Sequence, residues 1–252
     1  MEIFPIRTHK IRPGQESLFE ILDRYLVRFG ERSILAITSK IVSICEGRVV
    51  KIKASTKEID KRKLIEKEAE YFLPPEQNKY GITLTVKDSL LIPTAGIDES
   101  NGAGYFILWP KDPQGTANQV RRYLISRFSI QNAGVIITDS KTTPLRWGTT
   151  GASVAQSGFS TLNDYIGKPD IFGRKLKVTK ANIADALASS AVLVMGEGSE
   201  QTPLAIIKDI PFVRFQRRNP SQKEIKEARI NMADDLYGPL LRGVRWQKGR
   251  GK

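Results

Sequence analysis

The stretch Gly134-Val135-Ile136-Ile137-Thr138-Asp139-Ser140 joins a run of apolar, β-branched residues directly to an acid and a hydroxyl. A short apolar run of this kind predicts a buried strand, here over residues 135–138. A residue that follows a buried strand lies at a rim where binding and catalytic sites form. The stretch therefore predicts a central strand with a candidate site at its end, formed by Asp139 and Ser140.

Two further acids follow apolar runs in the same manner. Asp98 follows the run that begins at Leu90, in A-G-I-D-E-S-N, and Glu197 follows residues 191–195, which we interpret as a strand, in M-G-E-G-S-E-Q-T-P. Hard oxygen ligands that converge at such strand ends would suit a Mg²⁺ or Mn²⁺ ion that handles phosphates. The alternative is that the three acids only cap loops, and the spacing alone leaves both interpretations open.

Polar and glycine residues near these acids are candidates for binding a phosphorylated molecule. The glycines of Met195-Gly196-Glu197-Gly198 allow the backbone to approach a ligand closely, or they form an ordinary turn. Ser39 and Lys40 could form a phosphate cradle at the end of a predicted strand. Asn101 could bind a nucleotide base or ribose, or it could bond to its own backbone in a turn.

The chain of 252 residues carries 40 Lys and Arg against 27 Asp and Glu, a net charge of +13. Such an excess attracts polyanions, namely nucleic acids, nucleotides or acidic metabolites. Arg146 and Arg174 are candidate clamps for acidic substrate groups, or they form surface salt bridges. The basic C-terminal sequence V-R-W-Q-K-G-R-G-K predicts a mobile tail that either improves solubility or contacts nucleic acid.

Several classes of protein are excluded by residue type. One histidine, His9, rules out a histidine-rich zinc site, and one cysteine, Cys45, rules out an intrachain disulfide and a cysteine metal cluster. The sequence holds neither a P-loop nor a G-x-G-x-x-G fingerprint. It also lacks an apolar stretch long enough to span a bilayer and the layout of a signal peptide, so we expect a cytoplasmic protein with no membrane partner.

The predicted elements mix helices and strands without regular alternation, which indicates an α+β protein rather than a doubly wound sheet. We expect residues 1–213 to form a catalytic core of one or two interleaved subdomains, and residues 214–252 to add a C-terminal helix and the basic tail. Helices are predicted over residues 16–29, 56–73, 116–128, 179–190 and 221–241. Strands are predicted over residues 33–38, 48–52, 82–86, 90–92, 105–109, 135–138, 191–195 and 203–207.

Six motifs in one order give the chain a resemblance to the coenzyme F(420)-0:L-glutamate ligase family, the γ-glutamyl ligases of deazaflavin coenzyme biosynthesis. The resemblance covers roughly Ile3 to Leu241. The motifs are T-S-K-I-V-S-I-C-E-G-R from Thr38, A-G-I-D-E-S-N from Ala95, V-I-I-T-D-S from Val135, D-I-F-G-R-K-L-K-V-T from Asp170, A-D-A-L-A-S-S-A-V-L-V-M-G-E-G-S-E-Q-T-P from Ala184 and D-D-L-Y-G from Asp234.

The resemblance implies a F(420)-0:γ-glutamyl ligase-like α+β fold, an intertwined homodimer, and a GTP- or ATP-dependent ligase. Such an enzyme would use Mg²⁺ or Mn²⁺, with K⁺ as a further candidate cation, to join L-glutamate to an acidic carboxylate acceptor through an acyl phosphate. Asp98, Asp139 and Glu197 would be catalytic, with one metal on Asp98 and Asp139 and a second on Ser140 and Glu197. The implied nucleotide contacts are the stretch Thr8–Ile11 and the residues Ser39, Lys40, Asn101, Met195, Gly196, Gly198, Ser199, Glu200, Gln201 and Thr202.

Two departures from the family pattern bear on the substrates. Ile44 stands where family members usually carry a lysine or arginine, which affects one nucleotide contact and the preference for GTP. Lys141 to Trp147 replaces the F-G-R-P-W-R that commonly follows the acid, in a stretch expected to face the acceptor. A folate-type acceptor, extended by polyglutamylation, is therefore an alternative. A basic nucleic-acid-binding protein without ligase activity is the less favoured alternative from another class.

Overall fold

The computed structural model describes residues 1–251, over which strands and helices are mixed. The strands are β1 (Glu2–Ile6), β2 (Ser33–Thr38), β3 (Val49–Lys51), β4 (Tyr71–Leu73), β5 (Leu84–Lys87), β6 (Leu90–Pro93), β7 (Tyr105–Ile107), β8 (Ala133–Thr142), β9 (Thr149–Ser157), β10 (Leu162–Asp164), β11 (Lys180–Asn182), β12 (Leu204–Lys208) and β13 (Gln247–Lys248). The α-helices are α1 (Leu18–Tyr25), α2 (Ser39–Cys45), α3 (Lys57–Glu68), α4 (Pro113–Phe128), α5 (Ile183–Met195), α6 (Gln222–Glu227) and α7 (Gly238–Arg242).

A five-stranded sheet in the order β1-β12-β2-β8-β9 forms the centre of the molecule. Strands β2 and β8 are parallel, and the other neighbours are antiparallel. Leu35 and Ile37 of β2 pack under α1, α2 and α4, whereas Ile34 and Ala36 pack against α5. Both faces of the central strand are therefore buried, which explains its continuous apolar sequence.

Three smaller sheets flank the central one. They are β13-β4-β5-β6, β3-β7 and β10-β11. Asp98 extends the β3-β7 pair through an antiparallel bridge with Ile107. The segment between β6 and β7 thus carries Asp98 beside the central sheet, and Gly96 of that segment lies against Asp139 of β8.

The sequence-based prediction of a mixed α+β protein is confirmed, and several elements lie where they were predicted. Residues 33–38 form β2 with the predicted bounds, and residues 135–138 lie within β8. Helix α4 ends at Phe128 as predicted, but it begins earlier, with Asp112 rather than Thr116 as its N-cap. Among residues 1–251, no helix is both long and apolar enough to cross a membrane.

The predicted strand over residues 191–195 is wrong, because these residues form the last turns of α5. Ala191, Val192 and Met195 are buried at helical spacing, and Leu193 is exposed between them. A five-residue apolar run fits a buried helix as well as a buried strand, so periodicity could not separate the two. Glu197 therefore follows a helix rather than a strand.

Two further predictions around β8 are corrected. Asp139 lies inside β8, not just beyond it, because the strand continues to Thr142 and pairs with β9. No strand was predicted in the polar sequence up to Ser157, but residues 149–157 form β9. Residues 39–45, expected only as a strand end, form α2, and the helix predicted over residues 56–73 ends at Glu68, before β4.

The C-terminal prediction is also corrected. The single helix expected over residues 221–241 is replaced by α6 and α7, which are separated by turns. The tail is ordered rather than mobile, because β13 pairs with β4 and the Gly249 amide donates to the Glu70 carbonyl at 2.9 Å. A Cβ at Gly249 would collide with the Ala69 carbonyl, so glycine permits this close approach. Lys252, the last residue of the predicted tail, lies outside the described residues.

Candidate active site

A cavity of about 790 Å³ lies where the end of β2, the middle of β8 and the end of α5 meet the β6–β7 segment and the N-terminal stretch 8–12. Most of the candidate site residues from the sequence line this cavity. They are Ser39, Lys40, Asp98, Asn101, Asp139, Ser140, Met195, Gly196, Glu197, Gly198, Ser199, Glu200, Gln201 and Thr202. The roles assigned to these residues stay predictions, but their convergence is a property of the fold.

The parallel pairing of β2 and β8 explains why residues distant in sequence meet here. Thr38 is in register with Thr138, so the next residues, Ser39 and Asp139, leave the pair at the same edge of the sheet. The Thr38 amide also donates to the Pro203 carbonyl at 3.0 Å, which holds the loop after α5 at that edge. Carboxyl ends of neighbouring parallel strands are where α/β sheets form ligand crevices.

Lys40 and Asp98 form an ion pair inside the cavity. The Lys40 ammonium lies 2.7 Å from Asp98 Oδ2 and also donates to the Ser100 carbonyl at 3.2 Å. The Ser100 amide donates to Asp98 Oδ1 at 2.7 Å. Burial acts to raise the pKa of Asp98, but the Lys40 charge and the hydrogen bonds from Lys40 and Ser100 outweigh it and lower that pKa. Asp98 is therefore an anion that already contacts a cation.

Asp139 has the opposite electrostatic environment. Burial raises the pKa of Asp139 from 3.8 to about 6, and the negative charge of Asp98 adds to the increase. The Ser140 amide donates to Asp139 Oδ1 at 2.8 Å and opposes the increase without cancelling it. A buried carboxylate with too little positive charge around it is stabilised by a cation, so Asp139 and Asp98 fit the chemistry of a divalent metal ligand pair.

Ser140 and Glu197 form a second polar pair at the opening of the cavity. The Ser140 hydroxyl lies 2.8 and 2.9 Å from the two Glu197 carboxylate oxygens, and Thr149 Oγ1 donates to Glu197 Oε1 at 3.2 Å. Within residues 1–251, no group of three or more His, Cys, Asp and Glu side chains is close enough to enclose one ion. An ion held here would therefore take its oxygen ligands partly from the acidic and hydroxyl side chains of the cavity and partly from substrate.

The loop that follows α5 is fixed to its own helix. Gly196 ends α5 with φ +80°, a conformation that favours glycine, and a side chain there would collide with Glu200. The Thr202 hydroxyl donates to the Met195 carbonyl, which closes the loop at its base. The Gly198 amide donates to Glu200 Oε2 at 2.8 Å, so a backbone donor in this loop already contacts an anion.

The same loop is also bound from two other parts of the chain. The Asn101 side-chain amide donates to the Gly198 carbonyl at 2.8 Å, and the Thr8 amide donates to the Gln201 carbonyl at 2.8 Å. Asn101 has φ +55° and lies in the turn after Asp98. The glycine loop, the Asp98 turn and the N-terminal stretch therefore form one connected wall of the cavity.

The N-terminal stretch is positioned by the first helix and the segment before it. The Tyr25 hydroxyl accepts from the His9 amide at 3.0 Å and lies 2.7 Å from His9 Nδ1. His9 Nε2 lies 2.8 Å from Glu16, and Glu16 lies 2.6 Å from Arg24. Sequence reasoning gave Tyr25 and Glu16 no role, because nothing in the local pattern indicates that they contact His9.

Arg146 and Arg174 lie away from the cavity. Both are exposed, Arg146 between β8 and β9 and Arg174 between β10 and β11, and neither lines the cavity. Leu145 and Trp147 flank Arg146 and are almost fully exposed, at 102% and 88%. The structure of one chain therefore does not bring these arginines to the acidic residues. Ile44, by contrast, does line the cavity, as a buried apolar residue.

Comparison with known proteins identifies the family. Residues 5–209 match the family model described as F420-0:Gamma-glutamyl ligase. A coenzyme F420:L-glutamate ligase of Methanococcus maripaludis is 34% identical over 223 residues, which cover 84% of this chain and 89% of that relative. The enzymes of the same name from Methanopyrus kandleri and Methanocaldococcus jannaschii are 34% and 35% identical and cover 80% and 89% of this chain, and 83% and 96% of their own lengths. The chain therefore belongs to the F420-0:γ-glutamyl ligase family.

Proposed function

We propose that this protein is a nucleotide-dependent γ-glutamyl ligase that joins L-glutamate to a carboxylate acceptor related to F(420)-0. One observation carries the proposal: three acidic residues, a serine, a lysine and a glycine loop from separate parts of the chain converge on one cavity. Family membership supports ligase chemistry on glutamate, and the relatives' name points to an F420-type acceptor.

The proposed reaction proceeds in two steps. A carboxylate is a poor electrophile, so the γ-phosphoryl group of GTP or ATP is first transferred to an acceptor carboxylate oxygen, which yields an acyl phosphate and the nucleoside diphosphate. The glutamate amine then attacks the acyl carbon, the C–O bond to phosphate breaks, and the amine loses a proton to give the amide. Inorganic phosphate leaves with the bonding electrons. Positioning and electrostatic stabilisation supply most of the catalysis in such transfers.

The cavity residues would have distinct parts in this reaction. Asp98 and Asp139 would hold one Mg²⁺ or Mn²⁺ ion, and Ser140 and Glu197 a second, with K⁺ as a further candidate. When bound, these ions would supply positive charge beside the phosphate oxygens. Asp139 suits the role because its raised pKa reflects burial without enough compensating positive charge.

Lys40 and the glycine loop would bind the nucleotide phosphates. The Lys40 ammonium can leave Asp98 for a phosphate oxygen without leaving the cavity, because it lies on the first turn of α2. The Gly198 amide, which now contacts Glu200, can donate to a phosphate in the same way. Asn101 would hold the loop at a fixed distance from the Asp98 turn through its bond to the Gly198 carbonyl.

We also propose that the protein forms an intertwined homodimer. Arg146 and Arg174 lie outside the cavity of their own chain, so they could contact substrate only in the cavity of a partner subunit. The exposed Leu145 and Trp147 at the tip of the β8–β9 hairpin provide apolar surface for such an association. The test mixes two inactive variants, Arg146→Ala and Asp139→Asn. Restored activity in the mixture supports a contribution across subunits, and no restoration with both variants folded and associated opposes it.

The nucleic-acid-binding alternative loses its main structural support. Trp246 is the main aromatic residue among the basic residues of this chain, but it is not free to stack on a base, because its indole donates to the Leu241 carbonyl at 2.6 Å. A folate-type acceptor uses the same ligase chemistry and is tested with the main proposal. Purified protein is incubated with Mg²⁺ or Mn²⁺, GTP or ATP, glutamate and either acceptor, and the products are weighed by mass spectrometry.

A further inference from the structure

A left-handed turn precedes Asp98. Thr94, Ala95 and Gly96 have φ values of +54°, +53° and +69°, three consecutive residues in a region that L-residues rarely adopt. This conformation is sterically unfavourable for each non-glycine residue, and the β-branched Thr94 is especially ill suited to it. Such a turn persists only where the surrounding structure imposes it, and strain of this kind concentrates at functional sites.

The Thr85 hydroxyl on β5 imposes the turn. Thr85 is fully buried, and its hydroxyl accepts from the Ala95 amide at 2.8 Å and donates to the Ile92 carbonyl at 2.7 Å. One side chain thus satisfies a backbone donor inside the turn and a backbone acceptor in β6. The Thr94 amide also donates to the Thr83 carbonyl at 2.8 Å. The turn is therefore fastened both to Thr85 in β5 and to Thr83, the residue just before β5.

The turn lies next to Asp98 and Asp139, the acidic pair that would hold the first ion. It leads through Ile97 directly into Asp98, and a Cβ at Gly96 would lie 3.4 Å from Asp139 Oδ2. The same Cβ would collide with the ring of Trp109, which is 2% exposed. Gly96 therefore packs closely against the Trp109 ring beside Asp139, so a shift of the backbone here would change the surroundings of Asp98 and Asp139.

We propose that Thr85 is a positioning residue for the acidic pair, acting through the left-handed turn at residues 94–96. The proposal rests on the proposed function, in which Asp98 and Asp139 share one divalent ion. Thr85 touches neither the ion nor a substrate. Its hydroxyl fixes the turn, the turn fixes the separation of the two carboxylates, and that separation sets the affinity for the ion.

The test substitutes Thr85→Val, which keeps the shape and removes both hydrogen bonds of the hydroxyl. Thr85→Ser retains the hydroxyl and serves as the rescue. The matched control is Thr83→Val, because Thr83 is buried on the same side of this segment and its hydroxyl makes no hydrogen bond within residues 1–251. Titration calorimetry measures Mn²⁺ binding to each protein, and hydrogen exchange measures protection of the amides of residues 94–98.

We expect Thr85→Val to weaken Mn²⁺ binding about 10- to 100-fold, the range seen when a partner behind a metal ligand is removed. Exchange at residues 94–98 should rise in that variant alone, with Thr85→Ser and Thr83→Val close to the wild type. A folded Thr85→Val protein with wild-type Mn²⁺ affinity overturns the proposal. If Thr85→Val does not fold, Thr85→Ala replaces it under the same criterion, since alanine also removes both hydrogen bonds of the hydroxyl.

Failure of the proposed function gives a different result. A wild-type protein that binds no Mn²⁺ contradicts the metal site itself, whatever the variants do. In that case the exchange measurement still decides whether Thr85 holds the turn, because faster exchange at residues 94–98 in Thr85→Val supports the clamp and unchanged exchange refutes it.

Discussion

Replacing Asp139 with asparagine should stabilise the metal-free protein at neutral pH while removing its function. The carboxyl has a raised pKa, from 3.8 to about 6, because burial disfavours its charged form. At about 1.4 kcal/mol per pKa unit, this corresponds to about 3 kcal/mol of lost stability once the group is ionised. Asparagine keeps the acceptor for the Ser140 amide and carries no charge at any pH.

The pH dependence of this difference follows from the direction of the pKa shift. The native state binds the Asp139 proton more tightly than the unfolded chain, so the contribution of this group to the free energy of unfolding is highest below pH 4. It falls as the pH rises from 4 to 6 and stays low above that range. The variant should therefore match the wild type near pH 4 and exceed it by about 3 kcal/mol at pH 7.5.

Urea unfolding followed by circular dichroism, in buffers that contain EDTA, measures this difference at pH 4, 5.5 and 7.5. The control is Asp209→Asn, a change of the same type at an exposed residue outside the cavity. A difference in the free energy of unfolding between Asp139→Asn and the wild type that does not grow with pH would show that folding does not raise the pKa of Asp139. Adding Mn²⁺ should stabilise the wild type and leave Asp139→Asn unchanged.

Three other predictions concern the cavity, the packing of α5 on β9 and the C-terminal segment. Lys40→Met should raise the nucleotide KM and tighten Mn²⁺ binding in the absence of nucleotide, because the ammonium 2.7 Å from Asp98 no longer competes with the ion; weaker Mn²⁺ binding in calorimetry would contradict this. Gly151→Ala should lower the free energy of unfolding by about 1–3 kcal/mol, since its Cβ would collide with a backbone carbonyl of α5. An unchanged urea midpoint would contradict this prediction and show that α5 can move away from β9 at no cost in stability. Glu224→Gln should destabilise the protein at neutral pH but not in acid, because the hydrogen bond from Arg218 lowers the pKa of Glu224 and its stabilisation is lost as the pH falls through that pKa. A thermal midpoint difference that persists in acid would argue against it.

Local patterns predicted the parts of the fold that depend on local burial. Residues 34–37 are apolar because both faces of β2 are covered, and that run can be recognised in the sequence. Residues 191–195 are equally apolar, but they are buried as part of a helix that began at Ile183. A short apolar run indicates that its residues are buried, but it does not indicate whether they form a helix or a strand.

Long-range pairing produced the elements that sequence reasoning missed. The sequence T-T-G-A-S-V-A-Q-S has few large apolar residues, yet it forms β9 because β8 supplies its hydrogen-bonding partner. Gly151 in β9 allows α5 to approach closely, which is a property of packing rather than of the strand's own sequence. Strand propensity depends strongly on such context.

The candidate site was predictable where it is built from acids and glycines in short motifs. Asp98, Asp139 and Glu197 were singled out from their positions after apolar runs, and all three line the cavity. The left-handed turn was not predictable, because Thr85 and Ala95 are ordinary residues whose hydrogen bond depends on the folded sheet. Supporting residues of this kind have no sequence signature of their own.

Mass spectrometry of the reaction products is the direct test of whether this protein is a γ-glutamyl ligase. Wild-type protein and Asp139→Asn would be compared with Mn²⁺, glutamate, GTP or ATP, and F(420)-0 or tetrahydrofolate as acceptor. We expect the wild type to add one or more glutamyl units to one acceptor, with matching release of phosphate, and Asp139→Asn to add none. Glutamyl transfer by Asp139→Asn at the wild-type rate, or nucleotide hydrolysis by the wild type with neither acceptor ever extended, would contradict it.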